Sequence, residues 1–281
     1  DTSRPPQLTV RDRRGGPPVL KRLGQHFLTD PAALQAIADA VVTEPDDTIV
    51  EIGPGRGALT DALATRSNKL IAIELDRALA ERLRERFAGN SRVTIVEADV
   101  LETDPGALAG GPFAIVGNVP YYITTPILFH VLRAPLPRSA VFLIQREVAE
   151  RIVSPPGSRA YGALSVNVQA VATAEILRNV PASAFRPAPK VESAVVRVTP
   201  RGDPLVSGQE VNDYRSFVLA LFGMRRKQLG NALRSAGMLS AAAAAKVLDE
   251  CAIDPKARPE TLSPDQFAHL MRTTRDVAGR S

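Results

Sequence analysis

Thr48-Ile49-Val50-Glu51-Ile52-Gly53-Pro54-Gly55-Arg56-Gly57-Ala58 decides the fold class. Thr48 to Ile52 is a short, β-branched apolar run, which reads as a buried strand. It enters a glycine-rich turn at Gly53, Gly55 and Gly57, and Leu59 to Leu63 begins a helix. Strand, glycine turn and helix form a nucleotide-type loop, in which residues without a Cβ let the main chain approach a ligand closely. Gly53, Gly55 and Ala58 also satisfy the dinucleotide spacing G-x-G-x-x-A, so the loop alone does not choose the ligand. An ordinary tight turn between strand and helix is the plainer alternative.

The neighbouring segments repeat the pattern. Lys69 to Ile73 reads as the next strand, with Glu74 at its carboxyl end. An acid about 20 residues beyond the glycine loop suits two ribose hydroxyls. Ala78 to Phe87 is an amphipathic helix, and Val93 to Val96 a third strand that runs into Glu97-Ala98-Asp99-Val100. Asp99 is placed to accept from an adenine amino group, with Val100 beside it. Either acid alone reads equally as a helix cap or a surface charge; together behind a glycine loop they read as ligands for one adenosine.

A fourth strand, Phe113 to Gly117, ends abruptly in Asn118-Val119-Pro120-Tyr121-Tyr122. The Asn118 carbonyl oxygen accepts a hydrogen bond from an amine. Pro120 stiffens the turn and has no N–H of its own. Tyr121 offers a flat face to a base. This set suits an exocyclic amine on a planar ring held beside a reactive centre. Thr125-Pro126 opens a helix, Ser139 to Ile144 is a fifth strand, and Gln145 to Val153 is helical. Leu164 to Val180, rich in alternating Val and Ala, reads as a strand, as does Ser193 to Val198. Between them Phe185-Arg186-Pro187-Ala188-Pro189-Lys190-Val191 is a stiff basic loop at a rim. Phe185 is either a second aromatic wall for a flipped base or a packing residue under the loop, and Lys190 is a cation available to a phosphate.

Strands alternating with helices predict a doubly wound, mostly parallel α/β sheet, which binds ligands at the carboxyl ends of its strands. Gly53, Glu74, Asp99 and Asn118 all fall at such ends. Residues 1–20, rich in Pro, Gly and Arg, are expected to form a flexible arm. Arg4, Arg11, Arg13, Arg14, Lys21 and Arg22 are its basic side chains and those just after it, and they suit either phosphate contacts or a solvated tail. The α/β domain is expected over 21–200. Beyond the linker Pro200 to Gln209, residues 201–281 read as a small all-helical domain. Its Arg225-Arg226-Lys227 cluster is either a phosphate contact or a solvated basic face. Asp30-Pro31 marks a helix start, Asp as N-cap and Pro first in the helix.

Composition narrows the classes. A formal charge of +5 and a sequence pI of about 9.6 suit a polyanionic partner. The single cysteine, Cys251, allows no internal disulfide and no cysteine zinc site, which fits a reducing cytoplasm. No metal is expected. No apolar run approaches the roughly 20 residues of a membrane span. The opening DTSRPPQLTV lacks the apolar core of a signal peptide.

Taken together, KRLGQHFLTD, EIGPGRGALT, AIELD, EADVL, GNVPYYITTP, QREVAERI, YGALSV, FRPAPKVESAVVRV and FGMRRKQLGNAL, in this order, resemble the KsgA family of small-subunit ribosomal RNA adenine dimethyltransferases. The resemblance runs from Lys21 to about Met271. It implies a Rossmann-like methyltransferase sheet, S-adenosylmethionine as cofactor, and a cytoplasmic, monomeric enzyme. The implied substrate is 16S rRNA within the pre-30S small subunit, where two adjacent adenosines in a hairpin near the 3′ end each gain two methyls at N6. It places His26 and Leu28 along the cofactor, with Gly53 and Gly55 against its methionine part. Glu74 falls on the ribose, Asp99 and Val100 at the adenine, and Asn118 beside the methyl group. Departures are His26 and Tyr122 where the family often has Asn, Val119 where it often has Leu, and Arg56 where an apolar or small residue is frequent.

The chemistry expected of the turn is positional. Asn118 and a main-chain carbonyl near Val119 or Pro120 accept the two N6–H bonds and aim the nitrogen lone pair at the methyl. Positioning of this kind is worth roughly 7–11 kcal/mol. Tyr121 repays part of the cost of unstacking the base. Rival readings are a 23S rRNA adenine methyltransferase of the erythromycin-resistance type, which shares the Asn-x-Pro-Tyr turn, and a non-catalytic assembly factor. A DNA adenine methyltransferase fits the turn as well. A nicotinamide dehydrogenase lacks a histidine in a plausible catalytic motif.

Overall fold

The computed structural model describes residues 26–41, 43–133 and 135–279. The N-terminal arm and its basic side chains, through Arg22, lie outside them. The chain divides into two compact units. One extends through Arg146 and resumes over Ile176–Arg197; the other holds Glu147–Glu175 and the chain from Val198 onward. The division is therefore not one cut near residue 200. Tyr161, Val166 and Ala170 supply apolar surface to the core of the C-terminal helices, which draws Glu147–Glu175 into that unit.

In the first unit, β1 (Phe27–Leu28) precedes α1 (Pro31–Ala40), and β2 (Thr48–Ile52), α2 (Ala58–Ala64), β3 (Lys69–Glu74), α3 (Arg77–Phe87) and β4 (Val93–Glu97) follow in alternation. Then come α4 (Pro105–Ala109), β5 (Phe113–Asn118), α5 (Thr124–Val131) and β6 (Ala140–Gln145). Caps fix the helix starts. Asp30 Oδ1 accepts from Ala33 N at 2.7 Å ahead of Pro31, and Asp76 Oδ1 accepts from Ala78 N at 2.9 Å. Each such cap stabilises its helix by about 1 kcal/mol.

The rest of the chain forms α6 (Arg146–Val153), α7 (Ala163–Val171), β7 (Ala172–Val180), β8 (Phe185–Arg186) and β9 (Ser193–Pro200), then α8 (Val211–Gly223), α9 (Leu229–Ser235), α10 (Ala241–Glu250) and α11 (Pro264–Ala278). The strand expected over Leu164–Val180 is thus a helix followed by a strand. Ser165, Val166, Asn167, Val168 and Ala170 of α7 are all buried. A helix covered on most sides loses its amphipathic period, and its Val/Ala alternation imitates a strand.

Strand order in the seven-stranded sheet is β4-β3-β2-β5-β6-β9-β7. β4, β3, β2, β5 and β6 are parallel to one another, as the alternation of elements requires. Register lines up Val96, Ile73, Ile52 and Gly117 across four strands. One residue further on, Glu74, Gly53 and Asn118 therefore leave the sheet side by side. β1 and β8 form a separate antiparallel pair with Leu28 opposite Phe185. This pairing converts part of the expected loop at 185–191 into a fixed strand. Ile37, Leu63, Leu70, Val116, Leu143 and Phe185 share the core under this part of the sheet. Burying each such side chain is worth about 1.5–3 kcal/mol.

The second unit has its own core, with Tyr161, Phe217, Leu221, Leu233, Val247 and Phe267 among its buried members. Tyr161 donates to the Leu262 carbonyl at 2.7 Å, and Tyr214 to the Pro264 carbonyl at 2.8 Å. The hydroxyls of both buried rings are thereby satisfied. Ser263 and Gln266 close a capping box on α11.

Candidate active site

One open cavity lies at the carboxyl ends of β2, β3, β4 and β5. It is lined by His26, Leu28, Gly53, Gly55, Glu74, Asp99, Val100, Asn118, Pro120 and Tyr121, every residue expected at the cofactor and the catalytic turn except Phe185. Phe185 is fully buried, in the core cluster beside Leu28. It offers no ring face to the cavity, and the reading as a packing residue under the loop is the one that fits.

The glycine turn makes the floor. Gly53 and Gly55 have φ of 66° and 58°, a region that residues with a Cβ rarely adopt. A Cβ on Gly55 would also meet the Phe27 ring at 3.0 Å. Glu74 is 6% exposed and anchors the turn: its Oε2 accepts from Gly55 N at 3.0 Å and its Oε1 from Asp76 N at 2.9 Å. Each oxygen retains a lone pair for the cavity. Burial pushes the Glu74 carboxyl above its ordinary range, against the pull of those two N–H donors. Asp99 accepts from Leu101 N through Oδ1 at 2.9 Å, which leaves Oδ2 for a ligand.

Asn118 bridges two parts of the site. Its Nδ2 donates to the His26 carbonyl at 3.0 Å, so its Oδ1 is the end that remains to accept. The His26 ring stacks on Tyr121, centroids 5.9 Å apart and planes 22° from parallel, and its Nδ1 lies 2.9 Å from the Pro187 carbonyl. The Tyr121 hydroxyl shares a hydrogen bond of 2.6 Å with Ser193. Burial raises the Tyr121 pKa, partly offset by Ser193. Tyr121 is thus held by His26 on one face and by Ser193 at its tip. The Arg56 guanidinium sits over the Phe27 ring, 4.5 Å from its centroid, a cation–π contact at the rim of the cavity.

Several lining residues were not singled out from sequence: Phe27, Glu51 and Leu75; Tyr122, noted there only as a departure from the family pattern, lines the cavity as well. Glu51 had a legible signal, an acid inside an otherwise apolar central strand. It is 1% exposed, and its Oε2 has no hydrogen-bond partner among the described residues. Burial, with the charges of Glu74 and Asp61 adding, pushes its carboxyl up to about 8. A buried, unsatisfied carboxyl oxygen in a ligand cavity calls for a donor or a cation from the ligand.

In the helical unit, Arg225, Arg226 and Lys227 lie in the turn between α8 and α9, all exposed. Arg225 is ion-paired with Glu260, and Lys227 Nζ donates to Ser235 Oγ at 2.7 Å. Arg226 has no ion pair among the described residues. Lys190, in the first unit, is exposed. The site residues outside the cavity are therefore these four cations and Phe185.

Comparison with known proteins decides the family. A family model described as ribosomal RNA adenine dimethylase matches residues 19–276. The chain belongs to that family. Among ribosomal RNA adenine dimethylases and their relatives, a ribosomal RNA small subunit methyltransferase A of Acidobacterium capsulatum is 45% identical over 259 residues, 91% of each chain. One of Shouchella clausii is 43% identical over 282 residues, 96% of this chain and 94% of the relative. Among solved structures, the 23S rRNA methyltransferase ErmE superposes with a TM-score of 0.70 at 30% identity, covering 89% of this chain and 99% of that one. A dimethyladenosine transferase from Plasmodium falciparum superposes at 0.80 with 24% identity, covering 90% and 98%, and shares the fold. Ribosomal RNA adenine dimethylases use S-adenosylmethionine. The cavity suits that molecule: two buried carboxyls for a ligand with ammonium, sulfonium and ribose hydroxyl groups, and a glycine turn open to close approach. No helix among the described residues is long and apolar enough to cross a membrane.

Proposed function

We propose that this protein transfers methyl groups from S-adenosylmethionine to N6 of two adjacent adenosines in a hairpin near the 3′ end of 16S rRNA. It makes each dimethylated, and acts as a cytoplasmic monomer on pre-30S small subunits. The observation that carries this reading is the Asn118 amide. Its nitrogen is committed to the His26 carbonyl, and its oxygen is left as an acceptor in the cavity that also holds Glu74 and Asp99. An acceptor fixed in this way suits an amino group and offers nothing to a substrate oxygen anion.

S-adenosylmethionine supplies, when bound, an electrophilic methyl on a sulfonium sulfur. Glu74 would hold the ribose hydroxyls on its remaining lone pairs, Asp99 Oδ2 would hold the adenine amine, and Gly53 and Gly55 would leave room for the methionine part. His26, Leu28 and Val100 line this side of the cavity. For the substrate adenine, Asn118 Oδ1 and a main-chain carbonyl at Val119 or Pro120 accept the N6 hydrogens. Held in this way, the nitrogen would aim its lone pair at the methyl group that the cofactor would supply. No side chain is needed as a dedicated base, because an alkylated N6 would be acidic enough to lose its proton to water. Tyr121, braced by His26 and Ser193, presents its remaining face to the unstacked base.

The small subunit is favoured over the large one by two relatives above 40% identity whose names specify it, against 30% for the 23S enzyme. Labelled S-adenosylmethionine incubated with unmethylated small subunits, and with large subunits in parallel, tests the reading. N6,N6-dimethyladenosine in the small subunit alone is the expected product. Label confined to the large subunit would move the protein to the resistance-type enzymes. No label, with cofactor bound, would make it a silent assembly factor.

A further inference from the structure

The four tyrosines of the chain divide sharply. Tyr161 and Tyr214 are each 1% exposed, with hydroxyls bonded to main-chain carbonyls. Tyr121 is braced by His26 and Ser193. Tyr122, its immediate neighbour, is 58% exposed yet lines the same cavity as Asn118. It has no hydrogen bond and no ring contact to any described residue. Nothing in the fold requires an aromatic ring there.

The main chain nevertheless holds Tyr122 firmly. It is the middle residue of a single 3₁₀ turn, Tyr121–Ile123, wedged between Pro120 and the start of α5. Ile123 N donates to the Pro120 carbonyl at 3.1 Å across it. A ring carried on a fixed turn loses little freedom on binding, because only two side-chain torsions need to settle. A large apolar ring kept in water at the lip of a ligand cavity, on the turn that carries the reacting amine's acceptor, is placed for a flat partner.

We propose that Tyr122 is a positioning and specificity residue that stacks on the RNA base adjacent to the target adenine. This rests on the functional reading above and adds a second base contact to it. The argument is steric as well as chemical. When one adenine enters the cavity at Asn118, its neighbour on the strand is unstacked and left at the lip. Phe185 cannot serve that base, since its ring is wholly inside the core. Tyr122 is the exposed aromatic ring of the cavity wall. A stack here would strengthen substrate binding and hold the strand in register while the target N6 is methylated.

The test compares Tyr122→Ala, Tyr122→Leu, Tyr122→Phe and Tyr122→Trp in methyl transfer to unmethylated small subunits. Cofactor affinity is measured by calorimetry and folding by thermal unfolding. The expected result is a KM for subunits raised on the order of tenfold in the Ala and Leu variants, as loss of one base–aromatic stack predicts. The kcat at saturating subunits, the cofactor Kd and the melting temperature should stay near those of the parent. Phe and Trp should restore the parental KM. An unchanged KM in the Ala variant, with the parent active, overturns the stacking role alone. So does a Leu variant equal to Phe, which would reduce the contact to apolar area. A fall in kcat with unchanged KM also overturns it, by moving Tyr122 onto the target adenine or the catalytic turn. A parent protein that leaves small subunits unlabelled overturns the functional reading, and this inference with it.

Discussion

Asn118 Nδ2 donates to the main-chain carbonyl of His26 across 3.0 Å of space and 92 positions of sequence. The bond ties the segment before α1 to the end of β5, and it decides which end of the Asn118 amide faces the cavity. A side chain that packed freely would rotate, and either its donor or its acceptor would meet the substrate.

Asn118→Ala removes both the bridge and the acceptor. The expected fall in kcat is about 10²–10³, the cost of losing one group aimed at the reacting atom. The fold should survive, since one hydrogen bond contributes only about 1 kcal/mol net. Asn118→Asp is the sharper test. It keeps acceptor oxygens but turns one of them on the His26 carbonyl, so it should be inactive and less stable than Asn118→Ala. Steady-state methyl transfer and thermal unfolding measured together check both; an Asp variant as active as the parent would show that the donor side of the amide is irrelevant.

Gly55→Ala should act on the cofactor rather than on the chemistry. Its φ of 58° suits glycine, and the new Cβ would lie 3.0 Å from two carbons of the Phe27 ring. The left-handed conformation alone costs roughly 1–2 kcal/mol for a residue with a Cβ. Relief by moving the turn would also disturb the Gly55 N to Glu74 bond. Calorimetry should find cofactor affinity reduced about tenfold or more, with kcat at saturating cofactor changed far less.

Much of this site was legible in the sequence because the strand ends carry it. Gly53, Glu74, Asp99 and Asn118 each follow a β-rich run, and parallel register turns residues distant in sequence into neighbours at one edge. What was not legible depended on long-range packing. Phe185 sits in a basic, proline-rich stretch that reads as exposed, yet pairing of β8 with β1 turns its ring inward. The α7 segment imitates a strand because its burial is nearly all-round. Tyr122 was visible only as a departure from the family pattern; its exposure at the cavity, beside a Tyr121 already occupied by His26, is a property of the folded turn.

Glu51 gives the protein a pH signature. Its carboxyl has an ordinary value of 4.5 when exposed and is pushed up to about 8 in the fold. Between those values the folded state binds the proton and the unfolded state does not. The Glu51 contribution to stability is therefore complete below about pH 4.5. It falls by roughly 1.4 kcal/mol per pH unit as pH rises, and is spent above about pH 8. Glu51→Gln removes this group without removing its bulk. Melting temperatures taken from pH 5 to pH 9 should show the Gln variant gaining on the parent as pH rises. Parallel curves would mean that Glu51 does not titrate in this interval.

The basic turn between α8 and α9 yields the last expectation, and the three cations there should not be equal. Arg225 is engaged with Glu260 and Lys227 with Ser235, whereas Arg226 is exposed with no ion pair among the described residues. If this turn contacts phosphates, Arg226→Ala should weaken binding to small subunits several-fold and lower the slope of log K against log salt by about one. Arg225→Ala should do less, because its charge is already partly neutralised by the Glu260 carboxylate. Binding isotherms on unmethylated subunits over a salt series separate the two readings. A reduced slope for Arg226→Ala marks a released counterion and hence a phosphate contact, while an unchanged slope makes the cluster a solvated face and turns attention to Lys190 and the basic side chains of the N-terminal arm.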